Sequence, residues 1–339
     1  MKDYKYLICT MFITYNQKDY VKKALHSVAS QKTDFPVVIA LVDDASDDGT
    51  VDIIRDYISD NYLVKDSDMA YEKETDYAHV TYAQHKKNKS SYIAALFLKD
   101  NHFQSGKAQM KMTYISEWKD NSKYFTVCEG DDWWTDELKL QKLVSFLESN
   151  PKYVLACHRY NRYIQNEDKY EDDSNFDFYF GKNKGITFRR YFNRFVNWRT
   201  QTLATVYNRE IMDNAIGEYP YRTSDGIRSY FPLKYGKGYC FNEHMAIYRV
   251  NDGGVYSGIA PIDRIYGNWL MYRDFYNYEK SLFSKWSFYD IYYSILKFTK
   301  WKGYKEARPS LFIAMLSLVI ELHRISIVIF YKIKYLFQK

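Results

Sequence analysis

Two groups of adjacent carboxylates stand out in the 339-residue chain. Glu129, Asp131 and Asp132 lie in VCEGDDWW, between an apolar run and an amphipathic segment. Asp43 and Asp44 close the apolar run PVVIALV. Like charges this close repel, and neighbouring carboxylates cannot neutralise one another. A hard cation relieves them: Mg²⁺ or Mn²⁺ takes one or two carboxylates and fills its other positions with water and phosphate oxygens. The chemistry expected is therefore the binding of a metal-bound diphosphate. Taken singly, each pair also fits a solvated turn or a helix cap, and a cap is the reading for Asp43.

Local elements must carry these acids to one place. Residues 5–14 read as a buried strand broken by TYNQKD, with Val21, Ala24, Leu25 and Val28 at helical spacing after it. Residues 36–42 read as a second buried strand, which runs into the turn-and-cap cluster DDASDDGT. Val51, Ile54 and Ile58 mark the next helix. Strand, turn and helix in repetition is the rhythm of a parallel sheet. Ligands bind beyond the carboxyl ends of such strands, so both acidic groups are expected to face one crevice.

Residues 62–91 are polar without a period and read as an irregular insertion. A helix is expected over 107–119, with Met112, Ile115 and Trp118 on one face. KYFTVCE reads as the strand that delivers GDDWW, and Thr135 with Asp136 and Glu137 predicts the start of the following helix. RTQTLATVY and GYCFNEHMAIYRV read as strands with a short helix between them. Domains of 1–260 and 261–339 follow, the second helical, aromatic and basic.

The net charge of +6 is unevenly placed. Residues 285–339 hold ten Lys or Arg against Asp290, Glu306 and Glu321, so the rest of the chain is about neutral. The positive charge lies in an apolar helical tail and not along a polar groove, which argues against nucleic acid as a partner. Four separated cysteines without a CxxC pair read as buried thiols of a reducing compartment, not as a zinc site. The run YLICTMFIT lacks the cleavage site of a signal peptide, and a cytoplasmic location is expected.

Four stretches, in order, resemble family-2 glycosyltransferases of the GT-A fold. They are TYNQKDYVKKALHSVASQ, VDDASDDGT, CEGDDWWTDELKLQKLVSFLE and SDGIRSYFPLKYGKGYCFNEHMAIYRVNDGGVYSG, spread over residues 5–258. The resemblance implies an α/β, GT-A type nucleotide-binding fold with a mainly parallel sheet and a C-terminal helical extension. It implies inverting, metal-dependent transfer of a hexosyl or N-acetylhexosaminyl group, as in bacterial surface polysaccharide synthesis. The donor would be a nucleotide sugar, UDP-linked, and the acceptor a hydroxyl of a glycan or lipid-linked saccharide.

Residue by residue, the resemblance puts Thr14, Tyr15 and Asn16 in the base pocket, Asp44 on the base and Asp131 on the ribose. It makes Asp132 the ligand of Mn²⁺ or Mg²⁺ and Asp225 the general base, while Glu129 shapes the loop. Where relatives often carry a histidine after YRV, this chain has Asn251, whose oxygen also suits a hard cation. Trp133 and Trp134 are suited either to stacking on a sugar or to the core. The rivals are a nucleotidyltransferase on a similar sheet, for which TYNQKD is a poor phosphate grip, and a catalytically inactive scaffold. Retention of Asp44, Asp132 and Asp225 together counts against the scaffold.

In residues 310–337 a narrow polar stripe of Ser310, Ser317, Glu321 and Arg324 interrupts an otherwise apolar surface. Glu321, His323 and Arg324 near the middle of 311–330 argue against a simple membrane span. The remaining options are docking on the catalytic domain, pairing with another copy, or peripheral contact with the inner face of a membrane.

Overall fold

Residues 3–63, 70–172, 185–188, 201–251, 259–296, 307 and 310–336 are described in a computed structural model of the protein. The apolar runs become the inner strands of one sheet: β1 (Tyr6–Thr14), β2 (Val37–Asp43), β5 (Ser91–Leu98) and β6 (Ser122–Glu129). These four lie parallel in the order β6-β1-β2-β5. Covered on both faces, such strands need near-continuous apolar runs. In β2, Val37, Ile39 and Leu41 face one core and Val38, Ala40 and Val42 the other. Helices α1 (Val21–Ala29), α2 (Thr50–Asn61) and α5 (Lys139–Ser149) cover the first face through Leu25, Ile54 and Leu143. Ile115 and Trp118 pack on the second, beside Met212 of α6 (Arg209–Ile216).

Both flanks of this parallel centre are mixed or antiparallel. On one side β4 (Ala78–Gln84) and β3 (Ala70–Glu74) extend the sheet from β5. The expectation of irregular chain over 62–91 is therefore corrected. β3 is an edge strand with four of its five residues exposed, so its polarity conceals it. On the other side the order continues β11 (Thr205–Asn208), β8 (Tyr153–Ile164), β12 (Lys237–Val250) and β10 (Gly185–Phe188). The short β7 (Trp133–Trp134) pairs with β12, and β9 (Lys169–Asp172) with β8.

Two helix expectations also need correction. The helix predicted over 107–119 is two short pieces, α3 (Met110–Tyr114) and α4 (Ser116–Lys119), broken at Ile115. Its side chains still fill the core, but Lys111 is drawn inward to an ion pair. Helix α5 starts at Lys139 and not at Thr135. The Thr135 N–H is spent on the Met245 carbonyl of β12, and Gln31 from far along the chain accepts the Leu140 N–H.

After β12 the described chain is helical: α8 (Pro261–Glu279), α9 (Leu282–Leu296) and α10 (Leu311–Leu336). Among the described residues no helix is long and apolar enough to cross a membrane. All four cysteines are free and buried.

Candidate active site

The strand register sets three chain exits side by side. Thr14 of β1 lies opposite Asp43 of β2, and Ile13 opposite Glu129 of β6. The turns that follow are tied together. The Thr14 carbonyl accepts the Asp44 N–H at 3.0 Å, and the Ile13 carbonyl accepts the Gly130 N–H at 2.8 Å. Asn16, in the left-handed region at φ 51°, exchanges bonds of 2.9 and 3.0 Å with Asp47. A Cβ on Gly130 would stand 2.8 Å from Thr14 Oγ1 and 2.9 Å from Thr14 Cβ, so glycine is what lets the acidic turn lie against β1. Asp43 is the turn cap expected of it, accepting from the Ser46 N–H at 2.9 Å and the Ser46 hydroxyl at 2.6 Å.

Asp132, 1% exposed, accepts the Arg249 N–H on Oδ1 at 2.8 Å. Its Oδ2 is buried without a donor. The Glu129 carboxyl lies within reach of Asp132, and the two can hydrogen-bond only when one carries a proton. Burial first, then the charges of Glu129 and Asp131, push the Asp132 carboxyl well above the usual range. Burial, Asp225 and Asp131 likewise raise Glu129, with the Arg228 guanidinium opposing. Asp131 is raised by burial and moderated by Arg249. After burial, the charges of these same four acids hold the Tyr248 phenol above its ordinary value. The fold thus brings Asp225, distant in sequence, within electrostatic reach of Glu129, Asp131 and Asp132.

Asp225 opens α7 (Asp225–Tyr230), but it is not the cap: Ser224 Oγ accepts the Ile227 N–H at 3.3 Å. That leaves the Asp225 carboxyl uncommitted to the helix end, and its charge raises Glu129. Thr202 donates its hydroxyl to Asp225 Oδ1, and Arg228 Nη1 donates to the Thr202 hydroxyl at 3.3 Å. The turn Thr202–Ala204 is held from below by Lys139, fully buried, whose ammonium donates to the Leu203 carbonyl and lies 3.5 Å from the Trp134 ring centroid. Arg249 clamps the acidic turn: besides its N–H, its Nε donates to the Asp131 carbonyl at 2.9 Å, and its guanidinium lies 4.3 Å from the Tyr20 ring centroid.

Asp44 occupies a separate station on the same edge. It accepts the His102 and Phe103 N–H groups at 2.9 and 3.1 Å and pairs with Lys111 Nζ at 2.6 Å. Tyr15 is half-buried, its hydroxyl accepting from Gln104 at 3.4 Å. The Thr14 hydroxyl donates to Gln17 at 2.9 Å. Asn251 follows the last residue of β12, two positions past Arg249. Trp133 and Trp134, 7% and 4% exposed, are core residues paired to Ile247 and Ala246. Sequence reasoning missed Arg249, Thr202, Lys139 and Lys111. Arg249 carried a signal, since it lies inside the matched run YRV. Thr202 carried none, because its contact with Asp225 exists only once β11 is placed.

Among the described residues no group of three or more His, Cys, Asp or Glu side chains is arranged around a common metal point. The donors at Asp132 nevertheless fit a cation held by one or two protein oxygens. Oδ2 is a buried acceptor with no donor, and a second carboxyl adjoins it.

The model of the family "Glycosyl transferase family 2" matches residues 10–97 and 89–213, a span that includes the acidic turn. An uncharacterized protein of Mycobacterium bovis and another of Mycobacterium tuberculosis are each 30% identical over 151 residues, 43% of this chain. The match spans about a third of those relatives' length, 33%. Among solved structures, TarS of S. aureus in complex with UDP-GlcNAc superposes with a TM-score of 0.57 at 14% identity, covering 95% of this chain and 81% of that one. Its complex with UDP gives 0.53 at 12% identity, covering 98% and 92%. These likenesses show the GT-A fold. From the acidic turn at the carboxyl edge of its sheet to the strands that flank it, the chain belongs to glycosyl transferase family 2.

Proposed function

We propose that the protein is a metal-dependent, inverting glycosyltransferase that moves a hexosyl or N-acetylhexosaminyl group from a UDP-linked donor to an acceptor hydroxyl. The observation that carries this reading is the convergence of Glu129, Asp131 and Asp132 with Asp225 beyond the carboxyl ends of β1 and β6. Asp132, with Asn251, would hold Mn²⁺ or Mg²⁺, and the cation would offset charge on the departing nucleoside diphosphate. Arg249 fixes the acidic turn from two sides, so Asp132 presents Oδ2 in one orientation. Asp131 takes the ribose, and Thr14, Tyr15, Asn16 and Asp44 line the base pocket. Asp44 reaches a base only from a position already fixed by Lys111 and the 102–103 backbone.

Asp225 acts as the general base. Thr202 holds Oδ1, and the acceptor proton passes to Oδ2 as the new bond forms at the anomeric carbon. A single displacement inverts that carbon. A UDP-sugar is favoured because TarS, which shares the fold, was solved with UDP-GlcNAc. The acceptor we propose is a glycan or lipid-linked saccharide of a bacterial surface polymer, extended at the cytoplasmic face of the membrane.

Sugar nucleotides screened for turnover with Mn²⁺ and Mg²⁺ test this. Asp132→Ala should abolish metal-dependent turnover. Asp225→Asn should keep donor binding and lose transfer by roughly a hundred-fold or more. Normal transfer by Asp225→Asn would remove that residue as the base.

A further inference from the structure

Helix α10 buries one face and leaves the opposite face apolar. Ile313 packs against the cluster of Trp269, Ile291, Tyr292 and Ile295, and Ser317 and Ile320 are buried on the same side. Outward stand Leu311, Phe312, Met315, Leu318, Val319 and Leu322, followed by Ile325, Ile329 and Ile333, all between 42% and 79% exposed. Nine such side chains, each about half uncovered, make an apolar surface on the order of 800 Å². That exceeds the usual patch on a monomer and matches one partner's share of a standard interface.

The spacing selects the occupant. Leu311, Met315, Leu318, Leu322, Ile325 and Ile329 follow one another by four, three, four, three and four residues. A repeat of 3.5 residues drifts about 20° per heptad on a straight helix, so the seam stays in contact only with another helix coiled around it. A flat lipid surface imposes no such repeat.

We infer that α10 is a self-association helix, and that its outward seam packs against the same seam of a second copy of this chain. Pairing two copies buries both seams at once, and the helix is already anchored to α8 and α9 by its other face.

The test is sedimentation of the full chain at micromolar concentration, with Leu318→Glu/Leu322→Glu as the seam variant and circular dichroism as the check of fold. The parent should sediment as a dimer and the variant as a folded monomer. Should the double variant fail to fold, cross-linking decides the matter. Because the native cysteines are buried, Leu318→Cys and Leu322→Cys report on the seam alone. Leu318→Cys, oxidised alone and mixed in turn with Leu311→Cys, Met315→Cys, Leu322→Cys, Ile325→Cys and Ile329→Cys, should give a covalent dimer in at least one pairing whichever way the helices run. A monomeric parent, a dimer whose seam cysteines do not cross-link, or a monomer that floats with anionic vesicles would overturn the proposal.

Discussion

Replacing Asp132 by asparagine should stabilise the protein and inactivate it together. The Asp132 Oδ1 accepts the Arg249 N–H, and an asparagine oxygen can do the same. The buried Oδ2 has no donor and adjoins the Glu129 carboxyl. An amide nitrogen in its place becomes a donor to Glu129. Two carboxylates about 4 Å apart repel by roughly 4 kcal/mol at an effective dielectric near 20. The metal-free protein sheds most of that by holding a proton, so the net gain expected is about 1–3 kcal/mol, the ordinary cost of a buried unsatisfied group. Thermal unfolding in EDTA near neutral pH should then rise by a few degrees.

The pH dependence follows from the same cause. Asp132 and Glu129 are raised in the folded state, so folding favours their protonated forms. Their contribution is complete below the unfolded values near 4 and is lost as pH rises through the raised folded values. The parent in EDTA should lose more stability than Asp132→Asn over that rise, and Mn²⁺ should raise the melting point of the parent alone. A variant that melts lower than the parent at mildly alkaline pH in EDTA would refute the reasoning, because Oδ2 would then have been compensated.

Thr202→Val removes the donor that orients Asp225, and kcat should fall roughly ten- to a hundred-fold with the KM for donor unchanged; a KM effect alone would assign Thr202 to binding. Lys111→Met leaves the buried Asp44 with only its backbone donors and should cost about 3 kcal/mol in urea unfolding, much of it recovered by adding Asp44→Asn. Gly130→Ala drives a methyl into Thr14, at a cost of about 1–3 kcal/mol, and should lower melting point and turnover together.

The inner strands were legible because a strand covered on both faces needs a near-continuous apolar run, which β1, β2 and β5 carry and β6 carries over Tyr124–Cys128 but for Thr126. The edge strand β3 was not, since exposure removes the pattern that reveals a strand. The start of α5 was misread because its early N–H groups are satisfied by Gln31 and Asp136, and not by the nearest hydroxyl.

By itself the sequence determined the acids at the strand ends, the cap at Asp43 and the order of the matched motifs. Each of these depends on residues a few positions apart, where spacing and local hydrogen bonding suffice. Only the tertiary structure decided that the charge of Asp225 reaches Glu129, that Thr202 holds Asp225, and that Arg249 clamps Asp131 from 118 residues away. Those contacts rest on the strand order β12-β8-β11-β6, and strand order is a property of how faces pack, which no local pattern encodes.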